Sequence, residues 1–293
     1  MSIIALLGAV ELGLVFAFVG LGVYLSFRIL AFPDLTVDGS FPLGAAVAAV
    51  AIVGGADPWL ATLAAILAGA CAGLVTALLN VRFGILHLLA SILTMIALYS
   101  INLRIMGRPN VPLLGEATVL TPFYDHGLAA YWVRPLFLLV LVVIVVVALA
   151  WFLATDFGLA MRATGANAKM ARAQGIATGT SIYAGMALSN GLVGLAGALF
   201  AQTNGFADVT AGVGTIVVGL AAVIIGENIL RSRRIGIILA GVVIGSVLYR
   251  IAIQFALSLD SIGLEPSDLN LATAVLVALA LIIPRLRKTR AAT

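Results

Sequence analysis

The stretch DFGLAMRATGANAKMARAQGIATGT, Asp156 to Thr180, is a polar interruption in a chain that is otherwise almost all apolar runs. It is rich in Gly, Ala, Thr and basic side chains. It is too short for a domain and too helix-prone for a plain connection. Thr164 or Asn167 can accept bonds from the free amides of a helix start, and Gly175 suits the left-handed residue that ends one. The spacing predicts a short helix to about Gln174 that exposes Asn167, Lys169, Met170 and Gln174, kept slim by Ala166, Ala171 and Ala173. The residues alone leave two readings open. One is a helix that takes up rigid-body motion of a soluble partner. The other is a basic loop whose Arg162 and Arg172 meet anionic lipid.

Outward from this segment the chain reads as membrane. Of 293 residues, 63% are hydrophobic and only 10% charged, with a mean hydropathy of +1.21. Soluble domains carry roughly 25% charged residues. The expectation is an all-α integral membrane protein, a polytopic bundle of about nine spans (eight to ten) at about 20 residues each. The apolar runs are roughly 3–27, 40–55, 59–79, 84–105, 134–154, 181–202, 212–230, 235–257 and 269–284. The first run lacks a basic leader and reads as a retained span rather than a cleaved signal. The single cysteine, Cys71, excludes a disulfide framework, and no metal site is expected, His87 and His126 being far apart. The net charge of +4 is spread over the ends of apolar runs, which argues against nucleic acid.

Charge alternates from break to break. Arg28, Arg82, the trio Arg162, Lys169 and Arg172, the cluster Arg231, Arg233 and Arg234, and the tail Arg285, Arg287, Lys288 and Arg290 fall on one side. Asp57, Glu116, Asp125, Asp208, Asp260, Glu265 and Asp268 fall on the other, with Arg104, Arg108 and Arg134 as exceptions. The positive-inside rule puts the first set in the cytoplasm, the N-terminus outside and the C-terminus inside. The outer loop 106–133 carries Pro109, Pro112 and Pro122, with Tyr124, Tyr131 and Trp132 where an interfacial aromatic belt would lie.

Two segments repeat one pattern. FPDLTVDGSFPLGAAVAAV from Phe32 and FADVTAGVGTIVVGLAAVI from Phe206 both read Phe-x-Asp-x-Thr, then glycine, then a small-residue apolar helix. Given the charge alternation, the first enters from inside and the second from outside. The expectation is an inverted repeat with broken helices within a single domain spanning 1–293, its halves 1–105 and 181–284, the span 134–154 linking them, and the segment 156–180 as a cytoplasmic coupling loop. Gly-broken helices in matching positions point to a transport pathway, because irregular backbone at membrane depth is tolerated only inside protein or beside water. The pathway candidates are Phe32, Asp34, Thr36, Asp38, Asn190, Phe206, Asp208 and Thr210. The plainer reading is that the two Asp-x-Thr motifs only cap helices at the surface. Charges inside spans usually pair, which suggests Glu11 with Arg250 in the outer half; a snorkelling Arg250 is the alternative. Small-residue spacings such as Gly185 with Ser189, and Gly191, Gly194 and Gly197, allow close helix packing. No Gly-rich loop followed by Lys and Ser or Thr is present, nor a nucleophile–base–orienter set, so neither ATP hydrolysis nor other catalysis is expected of this chain.

The segment TDFGLAMRATGANAKMARAQGI resembles the cytoplasmic coupling segment of permeases of the ABC importer superfamily for branched-chain amino acids and simple sugars. Thr155, Gly158, Arg162, Ala163, Gly165, Asn167, Gly175 and Ile176 occupy the motif positions. LTVDGSFPLGA at Leu35–Ala45 and GFADVTAGVGTIVVGLAAVIIGE at Gly205–Glu227 are similar to the family's early and late glycine motifs. The overall likeness is to a less characterised amino-acid-like branch. The resemblance implies the permease subunit of a binding-protein-dependent importer in the bacterial cytoplasmic (inner) membrane. It implies a second permease copy, a cytoplasmic ABC ATPase dimer that holds the ATP and Mg, and an extracytoplasmic solute-binding protein, with no cofactor on this chain. Arg162, Gly165, Asn167, Lys169, Met170, Arg172 and Gln174 would then dock the ATPase, and a small polar solute, an amino acid by preference, would cross. An ion-coupled secondary transporter is the alternative that inverted repeats also allow, although Glu11 is its only deep carboxylate.

Overall fold

A chain in lipid must satisfy its backbone polar groups internally, so apolar runs of this length become helices. The structure, a computed structural model, describes residues 3–124, 130–230, 232 and 234–257. Its elements are α1 (Ile3–Val23), which continues as a π-helical turn Tyr24–Ile29, α2 (Val37–Val53), α3 (Pro58–Val81), α4 (His87–Met106), β1 (Asn110–Pro112), α5 (Thr121–Tyr124), α6 (Ala130–Ala154), α7 (Asp156–Ala166), α8 (Ala168–Ala173), α9 (Thr178–Asn204), β2 (Phe206–Asp208), α10 (Thr215–Ile229) and α11 (Ile235–Leu257).

Among the described residues six helices are long and apolar enough to cross a membrane: Ile3–Ile29, Pro58–Val81, His87–Met106, Tyr131–Ala154, Thr178–Asn204 and Ile235–Ala256. Two more, Val37–Val53 and Thr215–Ile229, are apolar but shorter. These eight correspond to the first eight runs in the sequence. The ninth, 269–284, lies outside the described residues, as do Arg231, Arg233, Asp125, His126 and the charges from Asp260 onward.

The helix α9 is the axis of the bundle. Its sequence is Gly-, Ala- and Ser-rich rather than bulky, so neighbours approach its backbone directly. A Cβ at Gly44 of α2 would collide with the backbone of Gly194, and one at Gly69 or Gly73 of α3 with the carbonyls of Asn190 or Met186. These contacts set direction. Residues rise together along α2 and α9 (Ser40 at Asn190, Gly44 at Gly194), so those helices run parallel. Gly22 of α1 lies at Ser189, and Phe16 at Phe200, so α1 runs against α9. In α10, Gly219 packs on Val19 and Val23, and Glu227 pairs with Arg28, so α10 runs with α1. The two short helices therefore leave the middle of the bundle in opposite directions.

The far ends are closed differently. At the Asp208 end, β1 and β2 form a small antiparallel pair with Asn110 opposite Asp208 and Pro112 opposite Phe206. At the other end α7 and α8 fold beneath the π turn. The linking helix α6 is peripheral, with apolar clefts on its flanks lined by α1 and α11 on one side and by α3 and α9 on another.

Candidate functional site

The chain leaves α1 through the π turn and breaks at Ala31, which holds a left-handed φ of 53°. Side-chain crowding makes that conformation costly for any residue but glycine, by about 1–2 kcal/mol, so the surroundings hold it. The break carries Phe32, buried edge-on against His87 with ring centroids 4.2 Å apart. It then delivers Asp34 into the interior.

Asp34 is the hub of a buried polar cluster. Its Oδ1 accepts the Thr36 amide at 2.9 Å, forming the turn that opens α2. Its Oδ2 accepts from Asn190 Nδ2 at 2.7 Å. Asn190 Oδ1 in turn accepts the Ser40 hydroxyl at 2.7 Å. The Thr36 hydroxyl meets that of Thr76 on α3 at 2.8 Å. All five side chains are 0% exposed. Asn190 is at mid-length of the 27-residue α9, so the cluster sits at mid-height of the bundle. A carboxylate, an amide and three hydroxyls from three helices are thus gathered where an isolated polar group would be expensive. No nucleophile and base are paired in it.

Asp38, one turn beyond Asp34, does something else. Its carboxylate accepts from Gly214 N at 3.3 Å and Ile216 N at 2.8 Å. It thereby caps the start of α10, where the positive end of the helix dipole favours an anion. The N-termini of the two short helices therefore meet at the middle, joined by one side chain.

The second Phe-x-Asp-x-Thr builds the same local turn in another place. Asp208 Oδ1 accepts the Thr210 amide at 2.7 Å, as Asp34 does from Thr36. Yet Asp208 and Thr210 stand at the far end of the bundle beside β1, with Asn110 donating to Asp208 at 3.4 Å. Partial burial alone would raise the Asp208 carboxyl; the Thr210 hydroxyl and amide and the Asn110 amide outweigh it and hold the group below its ordinary range. So the structure gathers Asp34, Thr36 and Asn190, with Asp38 next to them. Phe206, Asp208 and Thr210 lie apart from them. Ser40 and Thr76 belong to the cluster and were not foreseen. Ser40 could have been found, since it follows Thr36 at helical spacing on the same face; nothing in the sequence around Thr76 marks it.

The suggested pair of Glu11 with Arg250 is not formed. Glu11 faces Arg134 on α6 at 3.9 Å, while the Arg250 guanidinium carbon sits over the Phe16 ring, 3.9 Å from its centre. The reason is geometric: α1 and α11 cross at Gly13 and Val247, and the Arg250 side chain points back along α11. Glu227, close in sequence to Arg231, Arg233 and Arg234, pairs with Arg28 of the π turn.

The segment 156–180 folds as two short helices. Thr155 caps α7 by accepting the Gly158 amide at 3.3 Å. Asn167 caps α8 by accepting from Lys169 and Met170 at 3.1 and 3.0 Å, and Gly175 follows with a φ of 84°. Arg162, Asn167, Lys169, Met170, Arg172 and Gln174 face outward. Gly165 does not: a Cβ there would collide with the carbonyl of Ile29 and the backbone of Leu30. Gly185 of α9 is likewise held between Leu30 and Met161. The α7–α8 unit therefore rests directly on the π turn, a few residues before Asp34.

A family model described as the branched-chain amino acid transport system permease component matches residues 5–284. A tyrosine transport system permease protein of Clostridioides difficile is 40% identical over 265 residues, 90% of this chain and 86% of that protein. An uncharacterised protein of Rickettsia prowazekii is 37% identical over 281 residues, 94% of this chain and 96% of that one. A solved structure of an inward-facing ABC transporter, described there as of a putative metal-chelate type, superposes with a TM-score of 0.49 at 19% identity, over 97% of this chain and 86% of that chain. That last likeness is too slight to carry an argument.

Proposed function

We propose that this chain, which belongs to the branched-chain amino acid transport permease family, carries an amino acid through the buried Asp34–Asn190 cluster and is driven from the α7–α8 unit by separate ATPase subunits. The permease role follows from the family. The ion-coupled carrier that the sequence left open has no support there. The partners are an ATPase dimer, an extracytoplasmic solute-binding protein and a second copy of this chain, in a bacterial inner membrane. The solute class is an amino acid, and tyrosine, for which the 40% identical relative is named, is the first to test.

The observation that carries the reading is the contact of Gly165 with Ile29 and Leu30. It gives a short mechanical path. ATP binding closes the ATPase dimer, which carries the exposed face of α8 with it. Because Gly165 has no side chain, α7 presses on backbone rather than on a flexible side chain, and little motion is dissipated. The displaced π turn re-aims Asp34, five residues on. Asp34 then exchanges Asn190 and Thr36 for polar groups of the solute, which lets α2 and α9 separate. The same exchange is felt by α10 through Asp38. A π turn at the break supports this, since such turns recur where helices must bend for function. The matching Asp-x-Thr turns and the opposite directions of α2 and α10 support an inverted repeat as the origin of the two short helices.

The test is uptake by the chain reconstituted with its ATPase and binding protein. Asn167→Ala with Lys169→Glu is expected to abolish copurification of the ATPase and solute uptake together. Undiminished uptake in that double variant would remove the docking role of α8.

A further inference from the structure

Arg250 is partly buried in the half of α11 toward the Asp208 end, and its buried Nε finds no hydrogen-bond partner among the described residues. Its charge is offset there by the face of Phe16. Glu11, on the helix that α11 packs against, faces Arg134 instead. A cation over an aromatic face is stabilised by about 1–2 kcal/mol when desolvated. That is small against the cost of burying a guanidinium without an anion. The planar fork is otherwise suited to receive a carboxylate on two parallel N–H groups.

Phe16 is also one rung of a ladder. Its ring stacks on Phe41 at 5.5 Å, Phe41 meets Phe200 at 5.3 Å, and Phe200 meets Phe206 at 6.5 Å. The rings come from α1, α2, α9 and β2. They run from Phe206, 39% exposed at the β1–β2 end, to Phe41, fully buried and next in sequence to Ser40 of the polar cluster. A row of aromatic rings that leads from the surface to a cation whose Nε has no partner among the described residues matches a solute that is aromatic at one end and anionic at the other.

We infer that Arg250 anchors the carboxylate of the solute, and that Phe206, Phe200, Phe41 and Phe16 form the surface along which the side chain of an aromatic amino acid travels. The inference rests on the permease reading and names the substrate class of its pathway. No covalent step is involved: the carboxylate takes up the Arg250 Nε–H, which has no partner among the described residues.

The test uses the full complex in liposomes, with tyrosine uptake and tyrosine-dependent stimulation of ATP hydrolysis measured on the same preparation. Arg250→Gln is expected to lower uptake about tenfold while ATP hydrolysis is still stimulated, and Arg250→Lys to recover part of it. Phe16→Leu and Phe200→Leu are expected to shift uptake from tyrosine toward leucine. Wild-type uptake in Arg250→Gln and Arg250→Lys would overturn the inference, as would an unchanged tyrosine-to-leucine ratio in both phenylalanine variants. It would also be overturned if Asp260→Asn reproduced the loss, since Arg250 would then have a partner within the chain. Should Arg250→Gln fail to assemble, the lysine and phenylalanine variants decide alone. Absence of stimulated ATP hydrolysis in the wild-type complex would instead count against the functional reading on which the inference stands.

Discussion

Asp34 and Asp208 stand in the same Phe-x-Asp-x-Thr frame and make the same first hydrogen bond, yet only one is interior. The difference lies in their second oxygen. That of Asp34 is taken by Asn190, inside the bundle, and that of Asp208 by Asn110, at the rim. Substitutions at the two sites should therefore differ. Asp34→Asn keeps an acceptor for the Thr36 amide but turns donor against donor at Asn190, and it removes the charge that the proposed pathway would present to the solute. Uptake is expected to fall at least about tenfold, with thermal stability in detergent lowered by about 1–3 kcal/mol, the cost of a mispaired buried group. Asp208→Asn should change stability by less than about 1 kcal/mol, its turn being exposed. Equal losses in the two variants would show that burial does not set the role. Ser40→Ala should cost about 1 kcal/mol and leave the complex assembled.

At the scale of elements, the short helices are where the chain departs from a plain bundle. The start of α10 has no cap of its own; Asp38 of α2 supplies it. Asp38→Ala is expected to lower stability by about 1 kcal/mol, an ordinary cap loss. It should also raise hydrogen exchange of the amides of Gly214 and Ile216 specifically. Protection unchanged at those two amides would exclude the cap. The Gly165 contact predicts a different signature. Gly165→Ala forces α7 away from Ile29, an overpacking that costs about 1–3 kcal/mol. Because the outward face of α8 is untouched, the ATPase should still copurify while uptake per ATP falls. That separates transmission, at Gly165, from docking, at Asn167 and Lys169. Loss of ATPase binding in Gly165→Ala would place both roles on one surface.

At the scale of the whole molecule, Arg28, Glu227 and the α7–α8 unit gather at one end of the bundle, and Asp208 with β1 and β2 at the other. On the positive-inside expectation, which puts the basic end in the cytoplasm, a cysteine at Lys169 in a Cys71→Ser background should react with an impermeant maleimide only in inside-out vesicles. One at Asp208 should react only in right-side-out cells. The reverse pattern would invert the molecule. Much of this arrangement could be read in the chain itself. The apolar runs, their ends and the capped helix at Asn167 are local properties, set by hydropathy, charge and hydrogen-bonding groups within a few residues of one another. The recurrence of Phe-x-Asp-x-Thr was visible for the same reason, and each copy does form the same turn. What the chain could not disclose was which copy is buried, that Thr76 and Ser40 complete the Asp34 cluster, that Gly165 faces inward beneath Ile29, or that Arg250 rests on Phe16 rather than on Glu11. Those depend on how far one helix backbone can approach another. That distance is set by glycines on facing helices acting jointly, and no single stretch of sequence contains it.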